Sequence, residues 1–263
     1  MFPVSYVRAK SLKHAVEMLS ENPEAKLLAG GMTLLPTLKQ RLASPSHLVD
    51  IGALGALRAI KRSQNKLSIG AGVRHYEVAA SPVVSDAIPA LAYLAAQIGD
   101  PQVRNCGTIG GSLANNDPAA DYPAAVLGLG ATVVTNRRNI KADDYFQGMF
   151  TTALEEGEII TQVSFPLPQK AAYEKFRHPA SGYAMTGVFV AVIGRSVRVA
   201  VTGAGPGVFR WTDAERALAK ELSAQAIEKL SVDPENMNED MHASREYRAN
   251  LVSVMTRRAV AKL

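Results

Sequence analysis

The sequence predicts an α+β chain of two domains, and three observations predict it. The first fifty residues alternate helix and strand around a glycine turn. The text then breaks into short strands and turns. Beyond Pro166-Leu167-Pro168, two apolar strands split by a tight turn precede two closing helices. Length and composition agree, since 263 residues with 47% hydrophobic and 20% charged side chains carry enough apolar surface to offset chain entropy.

Each element has a local cause. Ser11 caps a helix whose apolar positions Leu12, Ala15, Val16 and Leu19 recur at helical spacing. Ala25 to Leu28 is a short strand that runs straight into Ala29-Gly30-Gly31-Met32-Thr33. Leu34 to Leu42 is again helical, with Pro36 tolerated because it lies in the first turn. His47 to Ile51 is the next strand. Short strands and turns begin at Lys66, and Ile88 to Gly99 is an apolar helix. The stretch from Arg104 to Asp121 is glycine-dense, uncharged from Asn105 to Asn116, and then acidic. Ala124 to Leu129 resumes helix, Ala131 to Thr135 is a β-branched strand, and Glu158 to Phe165 alternates before the prolines. A boundary there separates residues 1–166 from 167–263. In the second part Gly187 to Ile193 and Val197 to Thr202 form a hairpin about Gly194-Arg195-Ser196. The last helix, Ser244 to Lys262, places Tyr247, Leu251, Val254 and Met255 on one stripe with basic residues opposite.

Composition excludes several functions. The single cysteine, Cys106, can make neither an internal disulfide nor a cysteine-rich zinc site, and it cannot supply the thiolates of an iron–sulfur cluster. Any such centre must sit on another chain. The balance of 29 basic against 24 acidic residues is spread along the sequence with no basic block, so nucleic-acid binding is not expected. The longest uncharged stretch, His178 to Gly194, is too short and too broken by Pro and Gly to span a membrane. Met1 to Lys10 has no secretory pattern, and a cytoplasmic setting is expected.

Two glycine turns carry the chemistry. In Ala29-Gly30-Gly31-Met32-Thr33, paired glycines between strand and helix permit positive φ and present successive N–H groups as a nest suited to a diphosphate, with Thr33 as an added donor. Thr108-Ile109-Gly110-Gly111-Ser112 follows the same grammar. Two such turns in one domain suggest two loops gripping one extended, phosphate-bearing ligand. Other motifs fail: there is no P-loop, no zincin spacing and no GxSxG elbow. Gly203-Ala204-Gly205-Pro206-Gly207 imitates a dinucleotide turn, but Val208 stands where the third glycine is needed. Asp117 and Asp121 are spaced to share a helix face. Asp117 is expected to be an N-cap and Asp121 a ligand contact.

Taken together, Leu28 to Pro36, Leu48-Val49-Asp50-Ile51, Thr108 to Ala114 and Asp117-Pro118-Ala119-Ala120-Asp121 resemble the medium, FAD-binding subunit of the molybdenum hydroxylases, the family of carbon monoxide and xanthine dehydrogenases. Ala243 to Arg248 and Arg257-Arg258-Ala259 resemble the closing helix of that family's C-terminal domain. The resemblance implies an FAD cradle of the vanillyl-alcohol-oxidase (PCMH) type, with α/β subdomains at about 1–52 and 53–166, followed by a smaller α+β domain at 167–263. It implies that Ala29, Gly30, Gly31, Met32, Thr33 and Leu34, with Thr108, Ile109, Gly110, Gly111 and Ser112, hold the diphosphate and ribityl chain, with Asp121 on a flavin hydroxyl. It further implies a main-chain contribution from Ile160, a lysine near the flavin at Lys175, and an aromatic cover at Tyr183. Where many relatives carry His-Ser or Gln-Ser and Asn, this chain has Met32-Thr33 and Ser112. The hydroxyls survive, so FAD binding is expected to survive, while the missing histidine counts against carbon monoxide as substrate.

The function implied is electron transfer by non-covalent FAD in an oxidoreductase, with no catalytic side chain on this chain. A molybdenum cofactor on a large subunit and two [2Fe-2S] clusters on a small subunit would complete the enzyme, as a dimer of heterotrimers, a heterohexamer. The alternatives are a free-standing FAD oxidase or dehydrogenase on the same cradle, and a non-enzymatic nucleotide-binding module.

Overall fold

The computed structural model describes all of residues 1–263. Its first unit is a parallel sheet of β1 (Ser5–Arg8), β3 (His47–Asp50) and β2 (Lys26–Leu28), in the order β1-β3-β2. Helices α1 (Leu12–Glu21) and α2 (Leu34–Lys39) make the crossovers. Ser11 caps α1 by accepting the His14 N–H at 3.1 Å, a contribution of about 1 kcal/mol. Ala15, Val49, Ile51 and Leu57 form the small core beneath. Helix α2 stops short of Leu42, because Arg41 turns into the left-handed region at φ 60°.

The second unit is an antiparallel sheet of β4 (Ile60–Arg62), β5 (Lys66–Gly70), β6 (Thr132–Thr135), β7 (Asn139–Lys141) and β10 (Ile160–Pro166), ordered β4-β5-β10-β6-β7. Between β5 and β6 run six short helices: α3 (His75–Ala80), α4 (Pro82–Ala87), α5 (Pro89–Ala96), α6 (Pro101–Cys106), α7 (Ile109–Asn115) and α8 (Tyr122–Gly128). Pro82, Pro89 and Pro101 each open a helix, where a missing N–H is no loss. A short helix, α9 (Ala142–Tyr145), and a small ribbon of β8 (Phe146–Gly148) and β9 (Thr151–Thr152) precede β10.

The third unit is the antiparallel sheet β11 (Lys170–Arg177), β12 (Ala184–Ile193), β13 (Ser196–Thr202) and β14 (Phe209–Arg210), with α10 (Thr212–Leu218) and α11 (Arg245–Val260). The hairpin about Gly194 is as expected, with Ile193 opposite Ser196. This sheet is covered on both faces. Tyr173, Phe189, Ala191 and Ala200 pack into the large core shared with α5 and α8, whereas Ala172, Val188, Val190, Val199 and Val201 pack with Leu218, Val252 and Met255.

Two sequence expectations are corrected here. Strand β11 lies where no strand was expected. On α11, Leu251 and Met255 are buried as expected, but Tyr247 is exposed and Arg248 is buried. Arg248 reaches the carbonyls of Met185 and Gly203 at 2.8 and 3.1 Å and pairs with Asp240, so one basic residue sits inside the expected apolar face.

Candidate functional site

The two glycine segments meet. Gly30 lies against the α6–α7 junction so closely that a methyl group on it would stand 2.2 Å from the Cys106 carbonyl oxygen and 2.7 Å from Gly107 Cα. Its neighbour Gly31 adopts φ +70°, a conformation that L side chains rarely take. From Ala29 through Leu34, none of the backbone N–H groups finds a backbone acceptor. Unpaired amides in a row at the start of α2 leave donors free for an anion such as a diphosphate. Met32 and Thr33 are exposed beside it.

The second segment has a different construction, and the expectation of a matching turn is corrected. Thr108 is an N-cap: its hydroxyl accepts the Gly111 N–H at 3.1 Å, so Gly110 and Gly111 lie inside the first turn of α7 with no positive φ. The amides of Ile109 and Gly110 are already given to the carbonyls of Val73 and Ala71. A methyl on Gly110 would fall 2.5 Å from the Ala71 side chain, whereas one on Gly111 would meet only the Thr108 hydroxyl, at 3.0 Å. Gly110 therefore serves packing. Gly111 is exposed, and Ser112 is half-buried with its hydroxyl unengaged by the protein.

The acidic stretch also departs from expectation. Asp117 caps no helix; it closes a turn by accepting the Ala119 N–H at 2.9 Å, and it shares no helix with Asp121, which directly precedes α8. Asp121 is 4% exposed and held from β11. It accepts the Tyr173 hydroxyl at 2.5 Å and pairs with Lys175 Nζ at 2.9 Å. Lys175 also donates to the Gln97 carbonyl at 3.0 Å. Burial pushes the Asp121 carboxyl up and the Lys175 ammonium down, while their contact opposes both shifts. The third sheet grips the same turn elsewhere: the Thr202 hydroxyl donates to the Ala120 carbonyl at 2.6 Å, and Gly203 N–H to the Pro118 carbonyl at 2.8 Å.

Ile160 is buried in β10, and the next carbonyl, that of Thr161, accepts the Ala71 N–H, whose own carbonyl accepts Gly110 N–H. Ile160 thus borders the packing seat of the second segment. Tyr183 is 47% exposed in the β11–β12 loop, where partial burial, then the charges of Asp117 and Asp121, raise its hydroxyl.

Three contributors escaped the sequence reading: Tyr173, the Cys106–Gly107 seat, and His75. The last is 5% exposed, donates its backbone N–H to the Gly107 carbonyl, and is pushed down to about 4 by burial with help from Arg104. Tyr173 was findable. Residues two apart on a strand share a face, so recognising 170–177 as a strand would have joined Tyr173 to Lys175.

Comparison with known proteins agrees with this geometry. The family described as "FAD binding domain in molybdopterin dehydrogenase" matches residues 2–168, and the "CO dehydrogenase flavoprotein C-terminal domain" matches residues 171–263. The chain is 35% identical to the glyceraldehyde dehydrogenase medium chain of Sulfolobus acidocaldarius, over 98% of each chain. It is 34% identical to the carbon monoxide dehydrogenase medium chain of Hydrogenophaga pseudoflava, over 97% of this chain and 95% of that one. Quinoline 2-oxidoreductase from Pseudomonas putida 86 superposes with a TM-score of 0.90 at 31% identity, covering 100% of this chain and 97% of that one. No helix of this chain is long and apolar enough to cross a membrane. Unpaired amides beside a capped glycine helix thus coincide with full-length similarity, and the chain belongs to the FAD-binding medium subunits of the molybdenum hydroxylases.

Proposed function

We propose that this chain is the electron-transfer subunit of its enzyme, holding FAD non-covalently between the Ala29–Leu34 segment and the N-terminus of α7. The observation that carries the reading is the run of backbone amides from Ala29 to Leu34 that lack backbone acceptors. Those amides bind the diphosphate, with the Thr33, Thr108 and Ser112 hydroxyls as neighbouring polar groups. Asp121 takes a hydroxyl of the ribityl chain, and Lys175 holds that carboxylate in place. Ile160 supplies main chain beside the cofactor, and Tyr183 covers it from the solvent side. When bound, FAD supplies one- and two-electron redox chemistry, and the protein supplies position and electrostatics.

No side chain is assigned a proton-transfer role in substrate oxidation. With one cysteine, the chain draws its electrons from [2Fe-2S] clusters of a small subunit, which receive them from a molybdenum cofactor on a large subunit, and it delivers them to an external acceptor. The assembly is a dimer of heterotrimers in the cytoplasm. Native purification with metal analysis tests this. Molybdenum, iron and two further polypeptides co-eluting with a yellow chain are expected. A chain that elutes alone, and whose flavin is bleached by an organic substrate, would instead establish a free-standing flavin enzyme.

A further inference from the structure

Asp121 lies before the Pro166-Leu167-Pro168 boundary, yet the groups that hold its carboxylate come from β11 beyond it. Tyr173 donates to Oδ1 at 2.5 Å, and Lys175 Nζ lies 2.9 Å from both carboxylate oxygens. Arg177 at the end of β11, Tyr183 in the following loop and the adjacent Tyr122 are the other titratable groups beside it. Tyr173 is 2% exposed, with its ring 6.3 Å from that of Phe189, so it has little freedom to sit elsewhere.

The space its hydroxyl occupies is made by Gly187, which stands on β12 opposite Lys175. A methyl on Gly187 would lie 2.4 Å from Tyr173 Oη, its nearest contact, with the Thr202 methyl at 3.0 Å and Tyr173 Cζ at 3.1 Å. Glycine weakens a strand interior, and nothing in the backbone conformation of Gly187 demands it. The neighbouring hydroxyl does.

We propose that Tyr173 and Gly187 are positioning residues of the cofactor site: the Tyr173 hydroxyl fixes the Asp121 carboxylate, and Gly187 keeps clear the space that hydroxyl needs. This rests on Asp121 as a contact of the FAD hydroxyl chain. A carboxylate held at both oxygens is already fixed in place before the cofactor arrives, so binding loses less to ordering. The sheet beyond the prolines thereby sets the affinity of a cradle built before them.

The test measures FAD dissociation by flavin fluorescence, with thermal melting, on the full chain as wild type, Tyr173→Phe, Gly187→Ala and the double variant. Each single variant is expected to weaken FAD binding about tenfold, the scale of one hydrogen bond to a charged group. In Tyr173→Phe the acid limb of FAD retention moves to higher pH, because a donor favouring ionised Asp121 is gone. Gly187→Ala also lowers the melting temperature. In the double variant the 2.4 Å clash is gone and only the tighter contacts to the Thr202 methyl and the ring remain, so melting recovers in part while FAD affinity does not. Single-variant affinities within twofold of wild type, or an affinity that recovers in step with melting, overturn the proposal. A wild-type chain that takes up no FAD overturns the site reading itself.

Discussion

Gly30 and Cys106 are in backbone contact: no side chain fits at position 30, because its first carbon would stand 2.2 Å from the Cys106 carbonyl oxygen. That contact brings the amide-bearing segment against the root of α7, although the two glycine segments lie far apart in sequence.

The glycines separate fold from ligand. Gly30→Ala forces backbone apart and is expected to cost about 1–3 kcal/mol together with the flavin. Gly31→Val places a β-branched residue at φ +70°, so strain and flavin loss are expected there too, with the sheet of β11–β14 still folded. Gly111 differs. Its backbone is helical and its added carbon meets only the Thr108 hydroxyl, so Gly111→Val should melt near wild type and lose flavin purely through cofactor contact. Flavin absorbance per chain, alongside thermal melting, checks all three. Normal flavin content in both the Gly31 and Gly111 variants would sink the two-segment cradle.

The Asp121–Lys175 pair is buried at both ends, with side chains each 3% exposed. Lys175→Met leaves a buried carboxylate without its counter-charge and is expected to cost about 3–5 kcal/mol. Adding Asp121→Asn removes that charge and should restore most of the loss, without restoring FAD. Urea denaturation of the two variants decides it; a double variant no more stable than the single one would mean the pair is not coupled.

His75 supplies an acid limb to stability. The unfolded chain protonates near pH 6.5, while burial keeps the folded imidazole neutral down to about 4. The unfolded state therefore binds more protons across that window, and stability falls as pH drops from about 6.5 to about 4, by about 3 kcal/mol in all. Its Nδ1 has no partner, so His75→Phe should fold and show a flatter profile. Urea midpoints at pH 7.5 and 5 for both proteins provide the comparison, and an unchanged slope in the variant would exonerate His75.

Asn116 ends α7 in the left-handed region at φ 44°, and its amide donates to the carbonyls of Gly148 and Thr151 at 2.8 Å each. Asn116→Ala is expected to lose about 1–3 kcal/mol by leaving two part-buried carbonyls unpaired and adding strain. Asn116→Asp should be worse, because a carboxylate would face two carbonyl oxygens. Thermal melts rank them; equal melting of Ala and Asp variants would exclude those hydrogen bonds as the cause.

Much of the fold was legible where the signal is local. Ser11 caps α1 because a hydroxyl before a 3.6-residue apolar repeat does so in any context, and the Gly194 turn closes its hairpin for the same kind of reason. Strands β1 and β11 were not legible. β1 is short and mostly exposed, and β11 mixes Lys, Glu and Arg with Ala, Tyr and Phe because its two faces meet different neighbours. Arg248 escaped because its partners, Met185, Gly203 and Asp240, are carbonyls and a carboxylate supplied by other segments.

The order of residues along the chain was enough to establish the family and to single out the two glycine segments and Asp121 as candidate cofactor contacts, since motif spacing is a property of sequence, and a count of one cysteine leaves no iron–sulfur cluster on this chain. It could not establish that the two glycine segments differ in kind. Whether a glycine serves a positive φ, a helix start or a close approach depends on where its amide and its missing carbon point. Gly31 takes a positive φ, Gly110 packs against Ala71, and Gly111 sits in a helix start capped by Thr108. Nor could it show that Asp121, Tyr173, Lys175 and Gly187 form one cluster. Hydrogen bonds and steric exclusion act over about 3 Å of space regardless of separation along the chain, and these four meet only because β11 and β12 pack back against the turn before α8.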